Sequence, residues 1–218
     1  MVGFNQQRWV ISRLISQFSF FRADHLHFHA GFMSKTFAGG GFPIEKSNLR
    51  ELATASIPAP AEAGGGPGLR LSVARTTDWP LPTVVFSALN DSGADESDAG
   101  PPPLWQRRVL STVASTLIGA ALAGNTAHNV LCTARGRRVY VILRALQPER
   151  GGGPAEGAMA VALAECCGLA ITYSDEAFEA MDAAEFARLL AAAALPGPDQ
   201  ERLEEVAIAA VRGACERS

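Results

Sequence analysis

The sequence has few of the features that mark membrane, disulfide-rich and zinc-binding proteins. Its four cysteines, Cys132, Cys166, Cys167 and Cys215, form no C-x-x-C pair, which argues against a disulfide framework or a zinc knuckle. We therefore expect reduced and mostly packed thiols. Apolar runs are shorter than the roughly 20 residues that a membrane-spanning helix requires. We accordingly expect no association with a membrane.

Charge is also scarce. Charged residues make up 19% of the 218-residue chain and the formal net charge is -3, whereas soluble domains usually have about one charged residue in four. No long run of lysine or arginine is present, so the chain lacks the positive field that attracts nucleic acid. Hydrophobic residues, at 48%, are sufficient for one substantial core or at most two small ones. We expect a folded protein that does not bind nucleic acid.

Three segments rich in proline, glycine or acidic residues divide the chain: residues 57–68, 90–103 and 147–157. Such segments bury little apolar surface, so we expect flexible loops inserted into one domain. Residues 1–23 form an atypical N-terminal segment with three arginines and no acidic residue, a composition that resembles an organellar transit peptide. Because this segment runs into the histidine motif described below without a spacer, we expect a cytoplasmic protein, with organellar targeting as the alternative.

The hydrophobic periodicity predicts interleaved strands and helices. Alternating patterns predict strands, a 3.6-residue period predicts helices, and the glycine at position 136 predicts a tight hairpin. The predicted strands cover residues 18–32, 83–88, 129–134, 137–143 and 169–173; the predicted helices cover 104–123, a segment from an Asp182 N-cap through Leu195, and a final helix with Leu203, Val206, Ala207, Ala210 and Val211 on its apolar face. These elements predict an α+β fold with a largely antiparallel sheet and flanking helices.

Three of the four histidines stand at alternate positions, His25, His27 and His29. In an extended strand the three imidazoles would share one face, about 7 Å apart, while Leu26 and Phe28 would point into the core. A neutral imidazole is a nitrogen nucleophile at neutral pH, and its neighbours can donate hydrogen bonds to the charge that develops on a phosphoryl group. The pattern predicts that His27 is the nucleophile, since only this histidine has a helper on each side.

Two other interpretations of the histidines are open. Strand histidines can bind zinc, with His128 as a further ligand, but a closed zinc site needs three or four converging ligands and no spacing here demands one. A surface cluster is the other interpretation, although histidine is rare in this chain. We therefore predict no metal site.

The segment DHLHFHAGF, followed by GGGFPIEK, resembles a segment of the GDP-L-galactose and GDP-D-glucose phosphorylases, a branch of the histidine-triad superfamily. It also resembles an uncharacterised bacterial sister group. A pattern-level resemblance continues through residues 81–90, 125–144 and 164–190. The resemblance implies a histidine-triad-like α+β fold and identifies residues 24–218 as the C-terminal part of a nucleotidyltransferase domain. In relatives, a nucleotide-binding half precedes the triad, so we expect such a half to be missing from this chain.

The resemblance implies a two-step nucleotidyl transfer. His27 would attack the α-phosphate of a nucleoside diphosphate sugar, and inorganic phosphate would then release the nucleotide; neither a metal nor an organic cofactor is implied. His25 would orient His27 or the leaving group, and His29, where the phosphorylases usually carry glutamine, would donate to a phosphate oxygen. The remaining candidate substrate-binding residues are Asp24, Lys46 and Asn129.

Two alternative functions are open. A phosphorylase or hydrolase of dinucleoside polyphosphates would keep the His27 nucleophile and change the substrate. A truncated, catalytically inactive relative would act only as a binding or oligomerising module. A sheet without all of its partner strands has open edges, which would favour a homo-oligomer.

Overall fold

The structure is a computed structural model that describes residues 42–63, 68–90, 102–133, 136–145, 161, 163–168 and 179–216. The predicted strand at 18–32, which carries the histidine motif, lies outside these residues, and so does the predicted strand at 169–173. The described residues therefore concern the sheet and helices that follow the motif.

A five-stranded antiparallel sheet forms the centre of the described residues. Its strands are β1 (Leu49–Ile57), β2 (Leu69–Thr76), β3 (Thr83–Asn90), β4 (Ala127–Thr133) and β5 (Arg138–Arg144), in the spatial order β1-β2-β3-β5-β4. All pairings between neighbouring strands are antiparallel. β3 and β5 are rich in β-branched and aromatic residues, which pack well on a pleated surface. The predicted α+β fold with an antiparallel sheet is confirmed.

β4 and β5 form the predicted hairpin. Asn129 pairs with Ile142, and Thr133 pairs with Arg138. Gly136, in the connection, has a backbone φ of 87°, a left-handed conformation that residues with a side chain rarely adopt. The predicted glycine turn is therefore confirmed.

Two long helices cover one face of the sheet. The helices are α1 (Leu104–Ala123), the single turn α2 (Leu163–Cys166), α3 (Ala183–Ala191) and α4 (Gly197–Glu216). α1 and α4 pack against each other and against the strands. Their apolar faces and alternate strand residues form the first core, which includes Leu71, Phe86, Leu117, Val141 and Leu203. The bounds predicted for α1 are confirmed, and so is the apolar face of α4, except that Val206 is only partly buried.

Shorter elements pack against the opposite face of the sheet. A 3₁₀ turn at Pro43–Lys46, together with α2 and α3, meets residues of β3, β4 and β5 there. This second core includes Ile44, Val85, Tyr140, Ile142, Cys166 and Leu190. Because the centre of the sheet is buried on both faces, β5 carries a continuous apolar run, VYVIL, in place of a simple alternation.

Helix α3 begins as predicted but ends earlier. The Asp182 carboxylate accepts a hydrogen bond at 2.8 Å from the backbone amide three residues later, which satisfies a free N–H group of the first turn. The helix ends at Ala191 and not at Leu195, so the predicted end was wrong. The Ala145 amide at the end of β5 donates to the Ala193 carbonyl at 2.9 Å. This tertiary hydrogen bond uses a carbonyl two residues beyond the end of the helix, and no local pattern indicates it.

β1 and β2 were not predicted as strands. In β1 most residues are exposed, and a register shift between Glu51 and Ala53 interrupts the alternation. The predicted loop at 57–68 does connect the two strands, but Ile57 is buried as the last residue of β1. The backbones approach so closely that a Cβ atom at Gly68 would lie 2.9 Å from the Ile57 carbonyl oxygen.

The other two predicted loops overlap the described residues only in part. Asn90, at the start of the loop predicted at 90–103, is the last residue of β3, and Pro102 is buried just before α1. The loop predicted at 147–157 lies outside the described residues. Within the described ranges, no helix has the length and hydropathy needed to cross a bilayer.

Phe86 provides a test of the first core. Its side chain is fully buried in β3, so we expect Phe86→Ala to lower the free energy of unfolding by about 3–5 kcal/mol, through lost burial and a residual cavity. The measurement is urea-induced unfolding followed by circular dichroism. The matched control is Phe186→Ala, the same substitution at a half-buried residue of α3, for which we expect a clearly smaller loss. Equal losses at the two positions would contradict the packing described.

Candidate functional site

Two of the predicted site residues, Lys46 and Asn129, are among the residues that the structure describes. Lys46 is exposed at the end of the 3₁₀ turn, and Asn129 is half-buried on β4. The predicted site residues of the motif at 24–29, including the nucleophile His27, lie outside the described residues. Their roles stay predictions.

Asn129 is the centre of a polar cluster at the open end of the hairpin. The Arg144 Nε atom donates a hydrogen bond to the Asn129 Oδ1 atom at 3.2 Å. The Cys166 thiol donates to the same oxygen, with Sγ and Oδ1 3.6 Å apart. Because Ala127 pairs with Arg144 and Asn129 pairs with Ile142, Asn129 and Arg144 are diagonal neighbours on the face of the second core. We refer to Asn129, Arg144 and Cys166 as the Asn129 cluster.

The two hydrogen bonds fix the orientation of the Asn129 amide. Both donors share Oδ1, so the amide nitrogen Nδ2 takes no part in these bonds and, among the described residues, keeps its two N–H donors for another partner. Arg144 is held through Nε, and its terminal nitrogens Nη1 and Nη2 are further donors. The cluster therefore presents N–H groups, an arrangement that suits an oxygen-rich anion.

His128 precedes Asn129 on β4. Successive residues of a strand point to opposite faces, so the His128 side chain lies on the face away from the Asn129 cluster. Burial lowers the pKa of His128, a backbone hydrogen bond at Thr126 opposes this shift, and the charge of Arg144 reinforces it. The imidazole is therefore neutral at pH 7. In the part of the chain that the structure describes, no group of three or more His, Cys, Asp or Glu residues could hold a metal ion.

Cys166 and Cys167 are buried free thiols, which confirms the predicted packing. Burial raises the pKa of each thiol to about 12. The Trp79 indole N–H donates to the Cys166 carbonyl at 3.1 Å. Gly168 follows with a φ of 102°, and a Cβ atom there would lie 2.6 Å from the Pro43 Cβ atom. This close packing holds α2 in place beside β4.

A second polar group lies near the turn of the hairpin, around Tyr140. Burial raises the pKa of Tyr140, while the charge of Arg138 and hydrogen bonds with Arg138 and Thr133 oppose this shift. Burial also raises the pKa of Glu45, against the opposing effects of the Phe42 backbone and the Arg138 charge. These groups share the face of the sheet that carries the Asn129 cluster, at the other end of β5.

Arg144 and Cys166 were not predicted as partners of Asn129. The register of the hairpin decides which residue of β5 lies beside Asn129, and the register is not visible in the local sequence. One signal was available, because Arg138, Tyr140 and Arg144 are separated by even numbers of residues. In a strand they must therefore share one face.

The four cysteines allow a direct test of this packing. Burial also raises the pKa of Cys132 to about 12, whereas Cys215 is exposed. A thiol reacts as its thiolate, and roughly one buried thiol in 10,000 is ionised at pH 8 when its pKa lies four units higher. With an aromatic disulfide reagent at pH 8, we expect one fast-reacting thiol per native chain and four after denaturation.

Two substitutions serve as the control for thiol labelling. Cys215→Ser removes the exposed thiol and should abolish the fast phase. Cys132→Ser removes a buried thiol and should leave the fast phase unchanged. A fast phase that persists in Cys215→Ser, or that counts two or more thiols in the native chain, would show that α2 and β4 are not packed as described.

Comparison with known proteins identifies the family. Residues 60–213 match the family model described as GDPGP1-like, C-terminal domain. The matched region is more than two thirds of the 218-residue chain and contains the Asn129 cluster, whereas Lys46 and the histidine motif precede it. Comparison with curated proteins and with solved structures gave no match. Because the matched region covers most of the chain, the chain belongs to the family described as GDPGP1-like, C-terminal domain.

Proposed function

We propose that this protein transfers a nucleotidyl group through a histidine nucleophile, as a phosphorylase of GDP-hexose. The observation that carries the proposal is the presence, in one chain, of the DHLHFH motif and of a region that belongs to the GDPGP1-like family. The motif supplies a nucleophile suited to phosphoryl chemistry. The family match supports the branch of GDP-hexose phosphorylases.

The proposed reaction has two steps. In the first step, the neutral His27 imidazole attacks the α-phosphorus of GDP-hexose. An N–P bond forms, the bond from the α-phosphorus to the bridging oxygen breaks, and hexose 1-phosphate leaves with that oxygen. In the second step, an oxygen of inorganic phosphate attacks the guanylyl-histidine, the N–P bond breaks, and GDP leaves. The steps balance with no redox reagent and no organic cofactor.

The other residues of the motif would serve the nucleophile. His25 and His29 would flank it on one face of their strand and donate hydrogen bonds to the phosphate oxygens, where negative charge develops. Asp24 would orient an imidazole. Lys46 is exposed, so its ammonium group is accessible to a phosphate group.

Asn129 is the described residue that supports the proposal. It lies inside the matched region, and its amide nitrogen takes no part in the hydrogen bonds with Arg144 and Cys166. Such a group can donate to a phosphate or hydroxyl oxygen of a nucleotide sugar. Because two partners already fix the orientation of the amide, the side chain loses little conformational entropy when the substrate binds. We assign Asn129 to substrate binding.

The test is to trap the covalent intermediate. The full chain is incubated with GDP-hexose that is radiolabelled at the α-phosphate, without inorganic phosphate. We expect protein-bound label that is stable in alkali and labile in acid, as a phosphoramidate is, and that leaves as GDP when phosphate is added. His27→Ala should lower the rate of labelling by at least about 1,000-fold, because the nucleophile is removed. The matched control is His128→Ala, at the histidine outside the motif, which should label normally.

Three outcomes would oppose the proposal, and each would reject a different part of it: the nucleophile, the substrate class or the catalytic activity. Label that persists in His27→Ala would exclude His27 as the nucleophile. Labelling by a dinucleoside polyphosphate, but not by GDP-hexose, would replace the substrate class. No labelling by either compound would favour a catalytically inactive binding module.

A further inference from the structure

Arg144 is a half-buried arginine whose charge is not neutralised within the part of the chain that the structure describes. Its Nε atom donates to the Asn129 Oδ1 atom at 3.2 Å, and no carboxylate among those residues forms an ion pair with it. Arg75, which is also half-buried, is paired with Glu204 at 3.3 Å. Partial burial of a cation has a desolvation cost, and a bound anion would offset that cost at Arg144.

The unused donors of the Asn129 cluster belong to adjacent side chains, since the Arg144 Nε atom and the Asn129 Oδ1 atom are 3.2 Å apart. Within the described residues, the terminal nitrogens Nη1 and Nη2 of Arg144 and the Nδ2 atom of Asn129 have no acceptor, and both side chains are half-buried. The shared Oδ1 atom holds the guanidinium and the amide next to each other. A planar fork of N–H donors matches the oxygen atoms of a phosphoryl group, which it can bind with two parallel hydrogen bonds.

Two titratable groups near Arg144, Cys166 and His128, carry no negative charge that would repel an anion. Burial raises the pKa of Cys166 to about 12, so this thiol stays protonated and uncharged. His128 is neutral, because its pKa is lowered by burial. Glu165 is near enough to raise the pKa of Cys166, but its carboxylate is buried and forms no ion pair with Arg144 among the described residues.

We propose that Arg144 and Asn129 form a binding site for a phosphoryl group. The terminal nitrogens of Arg144 bind two oxygens of the group, and Nδ2 of Asn129 donates to a third. The anion site follows from the described geometry alone. Its ligand, a phosphate of the nucleotide or inorganic phosphate, rests on the proposed function.

Calorimetric titration of the full chain tests the site. GDP and inorganic phosphate are the phosphoryl ligands, and guanosine is the matched ligand without phosphate. We expect Arg144→Gln to weaken GDP binding by at least about tenfold, because hydrogen bonds to a charged group are lost. Arg144→Lys, which keeps the charge but loses the fork, should recover only part of the affinity. Guanosine should not distinguish the wild type from Arg144→Gln. If Arg144→Gln loses affinity for both GDP and inorganic phosphate, inorganic phosphate binds at the same site as GDP. If the variant loses affinity for GDP alone, the site binds a phosphate of the nucleotide.

Arg50→Gln is the matched control for charge. Arg50 is an exposed arginine of β1, at the edge of the sheet opposite to β4. Three strand spacings, about 14 Å, separate β1 from β5. The variant has the same change in net charge as Arg144→Gln, and we expect it to bind GDP as the wild type does.

Asn129→Asp keeps the test valid if Arg144→Gln does not fold. The new carboxylate still accepts from the Arg144 Nε atom and from the Cys166 thiol, so the packing is retained. Its charge neutralises the guanidinium, and the amide donor is lost. We expect GDP binding at least about tenfold weaker than in the wild type, with an unchanged circular dichroism spectrum.

Three results would overturn the phosphoryl site: wild-type affinity for GDP in Arg144→Gln or in Asn129→Asp, an equal loss in Arg50→Gln, or no binding of GDP or phosphate by the wild-type chain. These results are separate from those of the trapping experiment. If GDP binding depends on Arg144 but no guanylyl-His27 adduct forms, the phosphoryl site is retained and the proposed catalysis is rejected. If the adduct forms but Arg144→Gln binds GDP with unchanged affinity, the proposed catalysis is retained and the phosphoryl site is rejected.

Discussion

The alternation of side chains along β3 and β5 is the constraint on which the rest of the described structure depends. Phe86 and Val141 enter the first core, while their neighbours Val85 and Ile142 enter the second. A register shift of one residue would exchange the two faces and would remove the packing surface of the long helices and of the shorter elements together. The same register makes Asn129 a diagonal neighbour of Arg144, so one strand pairing determines both the cores and the polar cluster.

The side-chain oxygen Oδ1 of Asn129 joins the elements that this register brings together. It accepts from Arg144 on β5 and from Cys166 on α2, so the sheet and the segment beside it hold one amide in a single orientation. Catalysis of nucleotidyl transfer requires positioning of the phosphate and stabilisation of its charge. Hydrogen-bond donors held rigidly on a sheet can perform both tasks. In the proposed function, the histidine motif therefore supplies the nucleophile, and the Asn129 cluster in the matched region supplies the donors.

Elements with a complete local pattern were predicted from the sequence, and elements that depend on distant partners were not. The helix at 104–123 has its own periodicity, and the β4–β5 hairpin has its glycine turn at Gly136. β1 has few buried residues and an interrupted register, and the segment just after α3 is hydrogen-bonded to the distant Ala145. The same distinction applies to the candidate site. The motif around His27 is visible in the sequence, whereas the pairing of Arg144 with Asn129 depends on the strand register and could not be predicted.

The proposed function requires the histidine motif and the Asn129 cluster to act on one phosphoryl ligand. Nuclear magnetic resonance of isotope-labelled histidine tests this claim most directly. The chain has four histidines, so each imidazole signal can be assigned by single substitutions. We expect GDP to shift the signals of His25, His27 and His29, and Arg144→Gln to raise the midpoint of that titration by at least about tenfold. Motif signals that GDP does not shift, or midpoints that are equal in the two proteins, would contradict the claim.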